Sequence, residues 1–216
     1  MVQENNYQIE KFDPEVLREY DIRGIVDKNI TENTAYTIGR IFGYIVSEQL
    51  KSNIISLGYD GRLTSPKLYK ALSTGLKDSG ANVKSIGMCP TPMLYFADYY
   101  LKTDAALMIT GSHNPSEYNG FKMVMNKHSF FSENIQKFKN ILKNINLEKK
   151  EGSIEHINVI DAYVERVLEN ISVKNKLKIS WDIGNGAMGV IINKLISKLK
   201  NTENILLNQD VDGNFP

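Results

Sequence analysis

The sequence predicts an α/β protein: one three-layer α/β/α domain on a mixed sheet, followed by the start of a second, similar domain. Three observations carry this. Strand-like apolar runs alternate with amphipathic helical runs, the pattern of crossover connections and a largely parallel sheet. The alternation breaks once, at 105–125, where two strand-like runs flank a short polar loop and predict a local antiparallel pair. Composition shifts at 146–158, "NLEKKEGSIEHIN", which is charged and carries Gly152. Such stretches mark domain boundaries, so the expected domains are 1–152 and 153–216.

The elements follow in order. "TENTAYTIGRIFGYIVSEQL" (31–50) opens on a Thr cap and repeats apolar residues at helical spacing. "NIISLGY" (53–59) reads as a buried strand ended by "DGR". "TSPKLYKALSTGLKDSG" (64–80) has Pro66 in its first turn and Gly80 as a stop, a helix. A strand over 82–88, a helix entered through prolines over 90–101, and strands over 105–110 and 120–125 come next. "SENIQKFKNILKNI" (132–145) is an amphipathic helix with a Ser cap. Past the boundary, helices are expected over 161–171 and 187–200 and strands over 177–183 and 204–209. A βαβ unit begun at 177 has no room here to complete a sheet, so the second domain is expected to be cut off.

Composition narrows the function classes. The 216 residues are 42% hydrophobic and 24% charged, with a net charge of +1. No field of one sign points to nucleic acid or an anionic membrane. The polar start "MVQENNYQIEKF" does not read as a signal peptide, and no window reaches the apolar length of a membrane span. The single cysteine, Cys89, excludes an internal disulfide and a multi-cysteine metal cluster and reads as a small packed residue near a turn. The expected compartment is the reducing cytoplasm.

The chemistry concentrates in "ALMITGSHNPSEYNGFK" (106–122). Ser112 follows Gly111 at a strand end, where α/β folds present reactive groups. A serine hydroxyl needs a base or a metal to act as a nucleophile. His113 is poorly placed as that base if the segment is extended, because neighbours then point to opposite sides. Lys122, on the partner strand, can fold back towards Ser112. Asn114 and Asn119 donate hydrogen bonds or support a tight turn. The competing reading is a polar turn with incidental Ser and His. "REYDIRG" (18–24) and "GYDGRLTSP" (58–66) place Arg18, Asp21, Arg23, Asp60 and Arg62 in loops where arginine forks suit phosphate oxygens. For Asp60 and Arg62 the favoured reading is an ion pair that holds a loop.

These segments resemble a known family. "TGSHNP" (110–115) looks like the phosphoserine loop of the α-D-phosphohexomutases, the phosphomannomutase/phosphoglucomutase superfamily. "LREYDIRG" (17–24), "GYDGRLTSP", "YNGFK" (118–122), "DIGNGAMG" (182–189) and "DVDGNFP" (210–216) match its other motifs in order, from about residue 12 to the last. The resemblance implies a four-domain enzyme around a cleft. A phosphorylated serine gives its phosphoryl group to a hexose monophosphate and recovers the other phosphate from the bound 1,6-bisphosphate. By matched position, Ser112 is the phosphoryl carrier, flanked by Arg23 and Lys122, with Tyr20, His113 and Asn114 shaping the site. The implied substrate is a mannose or glucose phosphate, with Asn114 favouring these over glucosamine types. The implied cofactor is Mg²⁺, held at Ser112 through its phosphate.

The sequence also departs from the family. The Asp-x-Asp-x-Asp-Arg metal run is absent, and Asp210–Asp212 lacks a third aspartate and a following arginine, so that pair is read as a turn. The resemblance therefore implies an amino-terminal piece, inactive in turnover by itself, with a separate chain as the candidate partner carrying the missing domains. Three rivals remain open. "GNGAMG" (184–189) with Asp210 fits a dinucleotide fingerprint, although Asp182 stands where that fingerprint expects an apolar residue. A serine hydrolase using Ser112 and His113 lacks G-x-S-x-G, with His128 and His156 read as loop residues. A vestigial, non-catalytic domain is the third.

Overall fold

The structure is a computed structural model and describes residues 6–216; residues 1–5 of the polar start lie outside the described residues. In chain order the elements are β1 (Ile22–Ile25), α1 (Glu32–Leu50), β2 (Ile54–Tyr59), α2 (Ser65–Asp78), β3 (Asn82–Met88), α3 (Thr91–Tyr100), β4 (Ala105–Ile109), β5 (Tyr118–Met125), β6 (His128–Phe130), α4 (Glu133–Asn144), β7 (Ser153–His156), α5 (Ile160–Leu168), β8 (Leu177–Asp182), a 3-10 turn (Ala187–Val190), α6 (Ile192–Ser197) and β9 (Thr202–Leu207). The main sheet runs β1-β5-β4-β2-β3-β7, with β6 paired to β5. β2 is parallel to β3 and β4, and β3 to β7, whereas β5 is antiparallel to β1, β4 and β6. β8 and β9 form a separate parallel pair.

β4 explains the three layers. All its residues are buried, as in a strand covered on both faces. Ala105, Leu107 and Ile109 enter one core with residues of α1 and α2, while Ala106 and Met108 enter another with Met93, Leu94 and Ala97 of α3. The period of two thus divides one strand between two helical layers. Thr31 caps α1 as expected: its hydroxyl accepts from Thr34 N at 3.0 Å and Thr34 Oγ1 accepts from Thr31 N at 2.9 Å. α1 and α2 pack backbone to backbone, and a Cβ at Gly75 would lie 2.2 Å from the Tyr36 carbonyl oxygen.

Several elements differ from expectation. β1 lies in "REYDIRG", which reads as a loop because its polar residues hide a four-residue strand. His128 and His156 sit on short strands β6 and β7, though both are exposed. β7 pairs with β3, so the first sheet extends to His156, beyond the expected boundary at 152. Its sequence is polar because it is an exposed edge strand. Ser132 precedes α4 at φ 52 and makes no side-chain capping bond. The helix expected over 187–200 is broken into the 3-10 turn and the short α6, with Ile191 non-helical between them. Among the described residues no helix is long and apolar enough to cross a membrane.

The α1–α2 contact generates a prediction. Helix propensity alone makes Gly75→Ala stabilising by about 1 kcal/mol. The clash with Tyr36 reverses the sign, and the substitution is expected to destabilise by about 1–3 kcal/mol. Urea denaturation reads the difference; an unchanged or raised midpoint contradicts the close packing.

Candidate functional site: a serine on an arginine-anchored loop

β2 and β4 are parallel and in register through Tyr59 and Ile109, so the loops that follow them leave the sheet side by side. Asp60 N donates to Ile109 O at 2.9 Å and ties the two exits. Ser112 is the second residue of the turn between β4 and β5, at φ 55. That left-handed conformation is uncommon for a residue with a side chain and costs on the order of 1–3 kcal/mol unless the surroundings impose it. Here Ser112 N donates to Thr110 Oγ1 at 2.9 Å, and Asn114 N to Gly111 O at 3.1 Å.

Arg62 imposes the rest. Its side chain is 2% exposed, and its guanidinium donates to four carbonyls of one loop: Nη1 to Pro115 O (2.6 Å) and Tyr118 O (3.0 Å), Nη2 to Ser112 O (3.1 Å) and Asn114 O (2.6 Å). A cation in the middle of the turn gathers carbonyls that would otherwise repel one another. Asp60 balances it, with Oδ2 at 3.3 Å from Arg62 Nε. The same carboxylate accepts from Gly111 N at 3.2 Å and from Ser65 Oγ at 2.6 Å. Gly111 is needed because a Cβ there would lie 2.4 Å from Arg62 Nε and Cζ. The bulky group that approaches this glycine is thus the protein's own arginine. Buried Asn119 supports the base of the loop, donating to Thr64 Oγ1 and Ser65 Oγ, both at 2.9 Å.

Arg23 and Lys122 arrive through the antiparallel part of the sheet. β1 pairs with β5, placing Arg23 opposite Gly120, two residues from Lys122. Both cations meet Asp21: Arg23 Nη2 is hydrogen-bonded to Oδ2, and Lys122 Nζ lies 3.9 Å from the same oxygen. Arg23 Nη1 also donates to Asn114 Oδ1 at 2.6 Å, which links this cluster to the serine loop. Asp21, only 5% exposed, forms with Arg23 the Asp–Arg pair that one reading of this segment expects, and its approach to Lys122 is what sequence reading missed. Arg23 Nε is buried without a hydrogen-bond partner among the described residues.

His113 corrects an expectation. The left-handed turn at Ser112 brings its Oγ to 3.3 Å from His113 Nδ1, so the neighbours face each other rather than opposite sides. Tyr20 is not brought to this loop. It is 70% exposed and stacks on Phe131, centroids 6.4 Å apart. Asp60 and Arg62 hold the loop from beneath.

Ser112, His113, Asn114 and Arg62 line an open cleft of about 620 Å³ together with Gly184, Gly186, Asn214 and Phe215. Fully buried Cys89 lines a neighbouring cavity, and burial pushes its thiol pKa up to about 12. Across the cleft, Asp182 accepts from Asn208 Nδ2 and Gly184 N, both at 3.0 Å, and these bonds hold its carboxyl below the usual range. The glycine turn at 184–189 is therefore fixed by Asp182 and opens onto a 3-10 turn. The long helix that a dinucleotide fingerprint needs for its phosphates is missing. Asp212 Oδ1 accepts from Asn214 N and Nδ2 within its own turn. Among the described residues no three His, Cys, Asp or Glu side chains are grouped to hold a metal ion. With Asp60 committed to the loop and Asp212 to its turn, the carboxylates present do not fit a Mg²⁺ site.

Fold and site define a class: α/β/α domains that present a serine on a rigid turn at the carboxyl edge of parallel strands, beside a pair of cations. The family model described as phosphoglucomutase/phosphomannomutase, alpha/beta/alpha domain I, matches residues 14–149. The chain is 44% identical over 203 residues to a phosphomannomutase/phosphoglucomutase of Pseudomonas syringae pv. tomato, covering 93% of this chain and 43% of that protein. It is 40% identical to a phosphoglucomutase of Neisseria gonorrhoeae, covering 94% and 44%. A crystal structure of a phosphoglucomutase/phosphomannomutase family protein from Burkholderia thailandensis superposes with a TM-score of 0.88 at 36% identity, covering 95% and 46%. The chain belongs to the phosphoglucomutase/phosphomannomutase family. It spans a little under half the length of these relatives.

Two predictions follow from the geometry. Arg62→Ala leaves the Asp60 charge without its cation and a ring of carbonyls without donors, and is expected to cost about 3–5 kcal/mol in denaturation. Arg62→Lys should recover little, because an ammonium cannot reproduce the planar fork; wild-type stability in the lysine variant would contradict the anchoring role. Separately, Ellman's reagent at pH 8 should leave Cys89 unmodified in the folded chain and titrate it after denaturation. Rapid reaction in the native state contradicts its burial.

Proposed function

We propose that this chain carries the phosphoserine half of a phosphohexomutase, with Ser112 as the carrier. The observation that supports this most is the left-handed Ser112, fixed by Arg62 from beneath and open to the cleft above, with Arg23 bonded to Asn114 of the same loop and Lys122 facing Arg23's partner Asp21. Phosphoserine brings about −1.5 to −2 charges at neutral pH. Arg23 and Lys122 share one carboxylate, Asp21, so the cluster keeps one positive charge in excess to receive them. Phosphoryl transfer depends chiefly on positioning and charge stabilisation.

In the proposed reaction, the bond from phosphorus to Ser112 Oγ breaks as one forms to a free hydroxyl of a hexose monophosphate. The hydroxyl proton leaves the sugar, and Ser112 Oγ is protonated. The resulting 1,6-bisphosphate turns over in the cleft and returns its other phosphate to Ser112, so sugar 6-phosphate and 1-phosphate interconvert. Lys122 is the group proposed to stabilise charge or move the proton. His113 Nδ1, in contact with Oγ, is placed to hold the hydroxyl's orientation. Mannose or glucose phosphate is the proposed substrate, the classes named in the relatives. No step is assigned to a divalent cation. The sugar is proposed to be enclosed by protein outside these 216 residues, in the same polypeptide or a partner.

The test is stoichiometric. Incubated with glucose or mannose 1,6-bisphosphate, the chain should gain one phosphate on the peptide containing Ser112 and release the monophosphate. Ser112→Ala should gain none. The 216-residue chain is expected not to turn over sugar 1-phosphate. Phosphate on another residue, or steady turnover, contradicts the proposal. Stable labelling of Ser112 by a fluorophosphonate, without phosphate uptake, favours the hydrolase reading instead.

A further inference from the structure

We propose that Phe215, on the segment after β9, is a positioning residue for Ser112 that acts through Arg62. The proposal rests on the reading of Ser112 as a phosphoryl carrier. Arg62 spends its Nη donors on the loop carbonyls, while its Nε–H faces Asp60 at 3.3 Å without a hydrogen bond among the described residues. Its face remains to be covered, and the Phe215 ring lies over it, 5.3 Å from Cζ to the ring centroid. An aromatic face attracts a guanidinium; the Phe215 ring keeps its outer side in solvent, 37% exposed, while the Arg62 side chain beneath it is 2% exposed. Dry surroundings also strengthen each bond from Arg62 to the serine loop.

The segment is built to deliver that ring. Phe215 is itself left-handed, at φ 51, and its N–H donates to Asp212 O at 3.1 Å, closing a turn. Asp212 N donates to Asn185 O at 3.0 Å, which ties this turn to the glycine turn across the cleft. Gly213 sits directly on the loop that carries Arg62: a Cβ there would lie 2.6 Å from Leu63 N and 2.8 Å from Gly61 O. Reciprocally, a Cβ at Gly61 would lie 2.4 Å from Val211 Cγ1. The "DVDGNFP" and "GYDGRLTSP" segments are therefore one interlocked unit. A shift of the chain after β9 reaches the serine loop through Arg62, whose face Phe215 covers.

The alternative is that Phe215 only fills space, which an aliphatic side chain would do equally well. The test compares the full 216-residue chain with Phe215→Trp, Phe215→Leu and Gly213→Ala. Two readouts are followed: amide hydrogen exchange of residues 112–116, and the rate at which Ser112 gains phosphate from glucose 1,6-bisphosphate. Phe215→Trp keeps the π face and should match the wild type in both. Phe215→Leu should exchange faster in that loop and gain phosphate about tenfold more slowly. Gly213→Ala, which lifts the segment off Leu63, should shift loop exchange in the same direction with Phe215 intact. Loop exchange in Phe215→Leu equal to that in Phe215→Trp overturns the proposal. If the wild type gains no phosphate, the carrier reading of Ser112 falls, while loop exchange still decides the role of Phe215.

Discussion

The site depends on one buried cation. Arg62 is 2% exposed, and taking its charge out of water costs several kcal/mol. Asp60 and the four loop carbonyls offset that cost, since bonds from a charged donor contribute about 1.5–3 kcal/mol each. The consequence is rigidity. Loop carbonyls locked on a planar fork leave the turn few alternatives, so Ser112 can be held in a conformation a free turn would avoid. Gly111, Asp60, Ser65 and Asn119 then follow as requirements of the same anchor, each supplying space or a partner for the loop.

The mixed sheet brings the charged cluster to the serine loop. Parallel strands β2 and β4 bring their following loops together at one edge, which positions Arg62 under Ser112. The antiparallel strands β1 and β5 supply Arg23 and Lys122, because β5 returns beside β4, with Lys122 opposite Met108, and β1 pairs with β5, with Arg23 opposite Gly120. Asp21 spaces the two cations by accepting from one and facing the other. A wholly parallel sheet would send β5 away through a helical crossover, leaving Lys122 remote from the residue it follows by ten positions.

Much of this was legible in sequence where physics is local. Helix starts at Thr31 and Pro66, the continuous apolar run of β4 and the glycine-led serine turn follow from caps, periodicity and turn chemistry. The antiparallel pair around 105–125 was legible because a short loop forbids a crossover. β1, β6 and β7 were not, since short edge or partly exposed strands are polar and owe their form to pairing with residues far along the chain. The site divided in the same way. The motif residues Ser112, Arg23 and Lys122 stand in recognisable segments, and Asp60 and Arg62 hold a loop as their spacing suggested. That they hold the serine's own loop depends on contacts some fifty residues apart. The facing of Ser112 and His113 depends on a left-handed backbone that alternation rules do not describe.

The account stands on Ser112 being the group that carries phosphate. Tandem mass spectrometry of the chain as isolated from expressing cells, and again after exposure to a hexose 1,6-bisphosphate, addresses that directly. Phosphate is expected on Ser112 and on no other hydroxyl between residues 105 and 125. An unmodified Ser112 in both samples, or phosphate on Thr110 or Ser116 instead, would contradict it.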